Sequence, residues 1–140
     1  MSERTLRIVV ALLGLYHVLT GLLALSAPGT FFDEIGRYGA ENPHYVGDVG
    51  AFTAAYGVIL LLAVGRPTWW VPVLVVGSAW YAAHAFNHLL DIDEARSDAR
   101  GAVDTILLGL GAAALAWLAV TASRLPPRRP RTRSGGGGAH

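Results

Sequence analysis

Residues 8–27 read IVVALLGLYHVLTGLLALSA and carry no formally charged side chain. A helix rises about 1.5 Å per residue, so about 20 apolar residues cross the hydrocarbon core of a bilayer. This run has that length and stops at Pro28. Three more apolar runs follow it. Residues 50–65 (GAFTAAYGVILLLAVG) need residues 46–49 to reach spanning length. Residues 71–90 (VPVLVVGSAWYAAHAFNHLL) carry Pro72 in their first turn, where a missing N–H costs little. Residues 102–122 (AVDTILLGLGAAALAWLAVTA) carry one acid, Asp104, near their start. A soluble helical bundle would need polar stripes at helical spacing, which these runs lack over most of their length. The expected fold is all-α: an integral membrane, antiparallel four-helix bundle. It occupies residues 1–123, with spans at about 8–27, 48–65, 71–90 and 102–122.

Composition agrees with that reading. Of the 140 residues, 53% are hydrophobic and 15% charged, against roughly 25% charged in a soluble domain. The absence of cysteine removes disulfides, thiolate metal sites, iron–sulfur clusters and thiol catalysis. All 11 basic residues are arginine, which removes Schiff-base chemistry on lysine. Arg4, Arg7 and the sequence Leu25-Ser26-Ala27 resemble parts of a signal peptide. The apolar run is longer than a usual signal core, and Pro28 would follow the cut, so a retained span is expected.

Arginine placement sets the orientation. Arg4 and Arg7, Arg66, and a tail from Arg124 that holds four more arginines flank one side of the spans. The two connections on the other side hold Arg37, Arg96 and Arg100 among eight acids. The positive-inside rule then predicts cytoplasmic N- and C-termini and two acidic connections outside, with Trp69 and Trp70 as interfacial anchors. Residues 124–140 (RLPPRRPRTRSGGGGAH) are expected to form a basic, disordered cytoplasmic tail drawn to anionic head groups.

An ionisable side chain inside a span is expensive and marks a candidate site. His17 falls near the middle of the first span; His84 falls about one turn further out on the third, and His88 nearer the surface. Asp91 ends that helix, His44 and Asp48 precede the second span, and Asp104 opens the fourth. All histidines except His140 thus gather between midplane and outer face. Residues three and four apart share a helix face, so Tyr81, His84, His88 and Asp91 form one polar stripe. Small residues promise close helix contacts: Gly14 and Gly21 beside His17, then Gly50, Ala54 and Gly57, then Gly109, Ala112 and Ala116. The long connection of residues 28–48 interleaves Phe31, Phe32, Tyr38 and Tyr45 with charges. It reads either as an interfacial anchor or as a lid that carries His44 and Tyr45 inward.

Several chemistries fit these residues. Imidazoles four apart can share a metal ion. His17, His84 and His88 as ligands, with Asp48 or Asp91 as fourth ligand or orienting partner, make a nitrogen–oxygen set suited to zinc, iron or copper(II). Tyr81 and Asn87 would support a bound cofactor. Facing histidines can also ligate haem, or hydrogen-bond a quinone head group while aspartate relays protons. Finally, the polar groups can simply bond one another and hold helices in register. No charged residue continues the cluster through the inner half, which argues against a transport path.

The segments YHVLTGLLAL (residues 16–25), NPHYVGDVGAF (42–52) and HAFNHLLD (84–91) resemble the DoxX-like four-span bacterial membrane proteins, over roughly residues 6–122. The resemblance implies a small subunit of a membrane redox complex, sometimes beside quinone-reducing activities. Thiol-based roles do not carry over, and no family catalytic residue does. The arginine-only, alanine- and glycine-rich usage points to a GC-rich bacterial genome and so to a bacterial cytoplasmic membrane. The expected partners are the lipid bilayer and a larger membrane complex or a second copy, with no nucleic acid. The function expected is therefore an outward His/Asp cluster that binds a transition metal or redox cofactor. Its rival is an accessory or assembly subunit without chemistry of its own.

Overall fold

In the computed structural model, which describes residues 1–125, the protein is all-helical. Four long helices are α1 (Glu3–Ser26), α3 (Pro43–Ala63), α4 (Trp70–Leu90) and α5 (Asp98–Ser123), and a short α2 (Pro28–Glu34) follows α1. The proposed tail lies almost wholly outside the described residues. Local chemistry sets the boundaries. The side chains of Ser2, Asn42 and Ser97 accept the N–H groups of Thr5, Tyr45 and Arg100, capping α1, α3 and α5. Pro28 cannot supply the N–H that would continue α1, so the chain restarts as α2 with proline in its first turn. Caps at Ser2, Asn42 and Ser97 carry three helices several residues upstream of the apolar runs, into polar sequence.

Three of these helices, α1, α3 and α5, are long and apolar enough to cross a membrane. α4 has 21 residues but is not among them, and its outer half carries Tyr81, His84, Asn87 and His88. The property that makes α4 the candidate functional helix also weakens its reading as a span.

The helices pack as two close pairs, α1 with α3 and α4 with α5. Gly21 lies against Gly50 and Ala54, and Gly14 against Leu61, so α1 and α3 run in opposite directions. A methyl group on Gly21 would meet the backbone of Ala54, and one on Gly57 the backbone of Val18. This is close approach of the kind that small residues permit between helices. The α5 face is not the one expected. Gly109 has open space around it and Ala116 is exposed, whereas Gly111 receives the Tyr81 ring and the Ala112 carbonyl accepts from Ser78. In a helix that is alanine- and glycine-rich all round, spacing alone does not select the packed face.

Leu6, Val10, Leu60, Trp70, Leu74, Leu115 and Leu118 build one core at the end where α3 turns into α4. Trp70 is 1% exposed and donates from its indole nitrogen to the Ala63 carbonyl at 2.8 Å. Arg7 stacks over its ring and donates to the Val64 carbonyl. Tyr56 enters the space left by Gly77 and donates to the Val73 carbonyl. At the opposite end the connections after α1 and after α4 meet: Tyr38 bridges Ala95, and Gly39 N–H donates to the Glu94 carbonyl. Large apolar side chains cover the outside, among them Leu12, Leu19, Val58, Val75, Ile106 and Leu110. An exposed apolar surface of that extent marks a lipid or protein contact.

Candidate functional site

The outer half of α4 presents Tyr81, His84, Asn87, His88 and Asp91 to a cavity of about 630 Å³. α2 and the loop after it roof the cavity with Phe31, Phe32, Ile35 and Tyr38. Val46 and Val49 of α3, Tyr16 of α1, and Arg100, Asp104 and Leu107 of α5 supply the walls. The polar stripe expected on α4 thus faces one space, and the long first connection covers it. That volume lies in the range of sites for drug-sized ligands. A smaller space of about 120 Å³ shares Tyr81 and His84 with the cavity and reaches His17.

His17 is 1% exposed, with both nitrogens engaged. Nδ1 lies 2.7 Å from the Leu13 carbonyl oxygen and Nε2 3.1 Å from the Tyr81 hydroxyl. A carbonyl can only accept, so Nδ1 carries the proton and Nε2 accepts from Tyr81. The ring is enclosed edge-on by Tyr16, Tyr56 and Tyr81. His17 therefore ties α1 to α4 and orients the Tyr81 hydroxyl at the inner limit of the cavity.

His84 and His88 differ from it. Their rings lie 4.6 Å apart, centroid to centroid, and Tyr38 lies on His88 at 4.0 Å. Among the described residues His84 makes ring contacts but no hydrogen bond, and His88 Nδ1 is buried without a partner. An unpaired buried nitrogen costs about 1–3 kcal/mol, and such groups in a folded protein call for an explanation. Tyr38 donates weakly to the Gly101 carbonyl at 3.4 Å. Partial burial, and then the negative charge of Asp104, raise its hydroxyl above the ordinary tyrosine value.

The remaining expected ligands are placed apart. Asp48 pairs with His44 on the exposed outer turn of α3, where the two side chains are 71% and 91% exposed, so His44 is not carried inward. Asp91 accepts from the Asn87 amide at 3.3 Å, which makes Asn87 a partner of Asp91 at the cavity rim. Asp104 is held by Arg100 at 2.9 Å. Among the described residues no group of three His, Asp or Glu side chains is placed to hold a metal ion. The structure thus brings His84 and His88 together, sets His17 one hydrogen bond away through Tyr81, and leaves Asp48 outside.

Tyr16, Arg100 and Glu94 are among the cavity residues that escaped the reading of the sequence. Tyr16 adjoins His17 and Arg100 lies one turn before Asp104, so each stands beside a singled-out residue. Glu94 has no such signal, because its position depends on the loop pairing with Gly39. Chemically, the site offers two imidazoles with free nitrogens, a tyrosine hydroxyl and aromatic walls. Its carboxylates, Asp91, Glu94 and Asp104, outnumber the one guanidinium, Arg100, which disfavours anions. Comparison of the chain with family models, with curated proteins and with solved structures gives no match.

Proposed function

We propose that this protein is a four-span component of a bacterial cytoplasmic membrane, with both termini cytoplasmic, whose outer-end cavity binds a neutral redox cofactor of the quinone class. The observation that carries the reading is the pairing of His84 with His88, whose Nδ1 is buried without a partner, inside a lidded aromatic cavity of about 630 Å³. Imidazoles donate to or accept from a carbonyl head group as their tautomer requires. Phe31, Tyr38 and Tyr81 supply ring faces for a planar group. The loop pairing at Tyr38 and Ala95 supports a common side for the two acidic connections, and arginine placement supports that side being outside. α4 is the fourth span of this proposal: it packs along α5, and Val75, Val76 and Phe86 give it an exposed apolar face of its own. Such a bundle holds a cofactor for a larger redox complex and needs no catalytic residue of its own.

A transition metal is the second reading, favoured by the 4.6 Å spacing of the His84 and His88 rings. It would require the remaining ligands from outside this histidine pair. Haem fits less well, because His17 on the facing helix has both nitrogens engaged.

Titration of the purified protein in nanodiscs with a short-chain benzoquinone, followed by tryptophan fluorescence, tests the proposal; Trp80 lies against His84. Saturable quenching is expected, weakened about tenfold in His88→Ala, the equivalent of one lost hydrogen bond. Stoichiometric zinc, iron or copper on elemental analysis, lost in the same variant, would replace the quinone by the metal. A protein that takes neither would leave the accessory subunit, its polar residues serving packing alone.

A further inference from the structure

α1 packs along α3 and α5 along α4, but α1 and α5 share no comparable interface. At cavity level the residues flanking this seam are Tyr16 on α1 and Leu107 on α5, and both line the cavity. Both also reach the outside of the protein, Tyr16 at 57% and Leu107 at 60% exposure. A side chain that lines a cavity and is also more than half exposed stands at its mouth. The surface around this mouth is apolar: Leu12 and Leu19 continue it on α1, Ile106 and Leu110 on α5. Both helices are among those long and apolar enough to span, so this mouth opens toward acyl chains. On the water side α2 and the 3.4 Å contact of Tyr38 to Gly101 cover part of the cavity, and Tyr45 of α3, 60% exposed, marks a second opening with a polar rim.

We infer that the ligand carries an apolar tail and enters sideways, from the leaflet on the histidine side, between α1 and α5. The inference rests on the reading of the cavity as a cofactor site. Its head lies at His84 and His88 under the roof, and its tail leaves past Tyr16 and Leu107 to run along the lipid-facing surface. One planar head fills only part of a cavity this size, and the space left over leads to the seam. Ligands that live in the bilayer reach the site without crossing the charged outer rim of Asp91, Glu94 and Arg100.

The test uses the full chain in liposomes and a benzoquinone whose alkyl tail ends in a photoreactive diazirine. Labelled residues are mapped by mass spectrometry, with and without excess tail-less benzoquinone as competitor. Label on α1 and α5 near Tyr16 and Leu107, lost on competition, is the expected result. Competable label on α2 or residues 36–42 would overturn sideways entry while keeping the head-group site. Label that the competitor does not reduce would overturn the site itself, and the sideways route with it.

Discussion

The two ends of the helix bundle solve the same packing problem in opposite ways. At the Trp70 end Leu6, Leu60, Trp70 and Leu74 are fully buried together and polar atoms are paired: the Trp70 indole with Ala63, Tyr56 with Val73, Arg7 with Val64. At the His88 end the helices leave a cavity lined by two imidazoles, and the Nδ1 of His88 is buried there without a partner. In lipid, where apolar surface gains little by leaving the solvent, association depends on packing and hydrogen bonds. The Trp70 end supplies both, and the Gly21 contact adds to it, so the fold does not depend on the histidine pair. That frees the histidine end to hold unsatisfied groups, the usual signature of a ligand site.

Truncation at each end should show this asymmetry most strongly. Trp70→Ala opens a void in the main core, removes the bond to Ala63 and leaves Arg7 without its ring. The cost expected is about 3 kcal/mol, the low end for tryptophan truncation because lipid retains part of the apolar transfer. His84→Ala, which removes no hydrogen bond, should change stability by under about 0.5 kcal/mol. Loss of helical circular dichroism in dodecyl sulfate titrations of micellar protein measures both. Equal losses would show that the histidine end is structural.

A smaller effect separates the two kinds of glycine. Gly21→Leu drives a side chain into the backbone of Ala54 and should cost about 2 kcal/mol, within the range for overpacking. Gly109→Leu adds the same bulk where nothing lies within 4 Å and should be neutral or slightly stabilising, since leucine is the better helix former. The same titration decides, and a loss at Gly109 would point to an occupied outer surface.

Histidine itself gives the third contrast. His17→Phe keeps a ring between α1 and α4 but strands the Tyr81 hydroxyl, for a cost of about 1–2 kcal/mol. His88→Phe removes an already unpaired nitrogen and should cost nothing measurable, while reducing ligand binding. If both variants destabilise alike, His88 has a structural partner.

How far the sequence shows this asymmetry follows from its causes. Burial in lipid demands long apolar runs, so α1, α3 and α5 are visible in their residues, as is the glycine contact around Gly21 and Gly57. The stripe from Tyr81 to Asp91 follows from helical spacing alone and does face one cavity. What connects distant segments is hidden. Nothing in the run at residues 8–27 reveals that His17 spends Nδ1 on Leu13 and Nε2 on Tyr81, and so has no nitrogen left for a metal. The contact of the Tyr38 ring with His88 joins residues 50 positions apart through a loop pairing that no periodicity encodes. Residue type locates candidate groups; whether each is already satisfied is decided by tertiary contacts.

The weakest effect expected comes from that roof. The neutral Tyr38 hydroxyl is favoured in the folded protein by partial burial, then by Asp104 and Asp91, while Thr105 and Arg100 act the other way. Its folded value lies above the unfolded value of about 10, so over the window between them the folded chain holds a proton that the unfolded chain has lost. Stability from this group is complete below pH about 10 and falls as pH rises through the folded value. Phenolate absorbance titrations of wild type and Tyr38→Phe, subtracted, should show Tyr38 ionising later in the folded state than in denaturant. The roof should loosen as it does, because a phenolate can no longer donate to the Gly101 carbonyl. Were Tyr38 to ionise at the unfolded value, its hydroxyl would be free in water and the lid would be held by Phe32 packing, the Tyr38–His88 ring contact and the Gly39–Glu94 backbone bond instead.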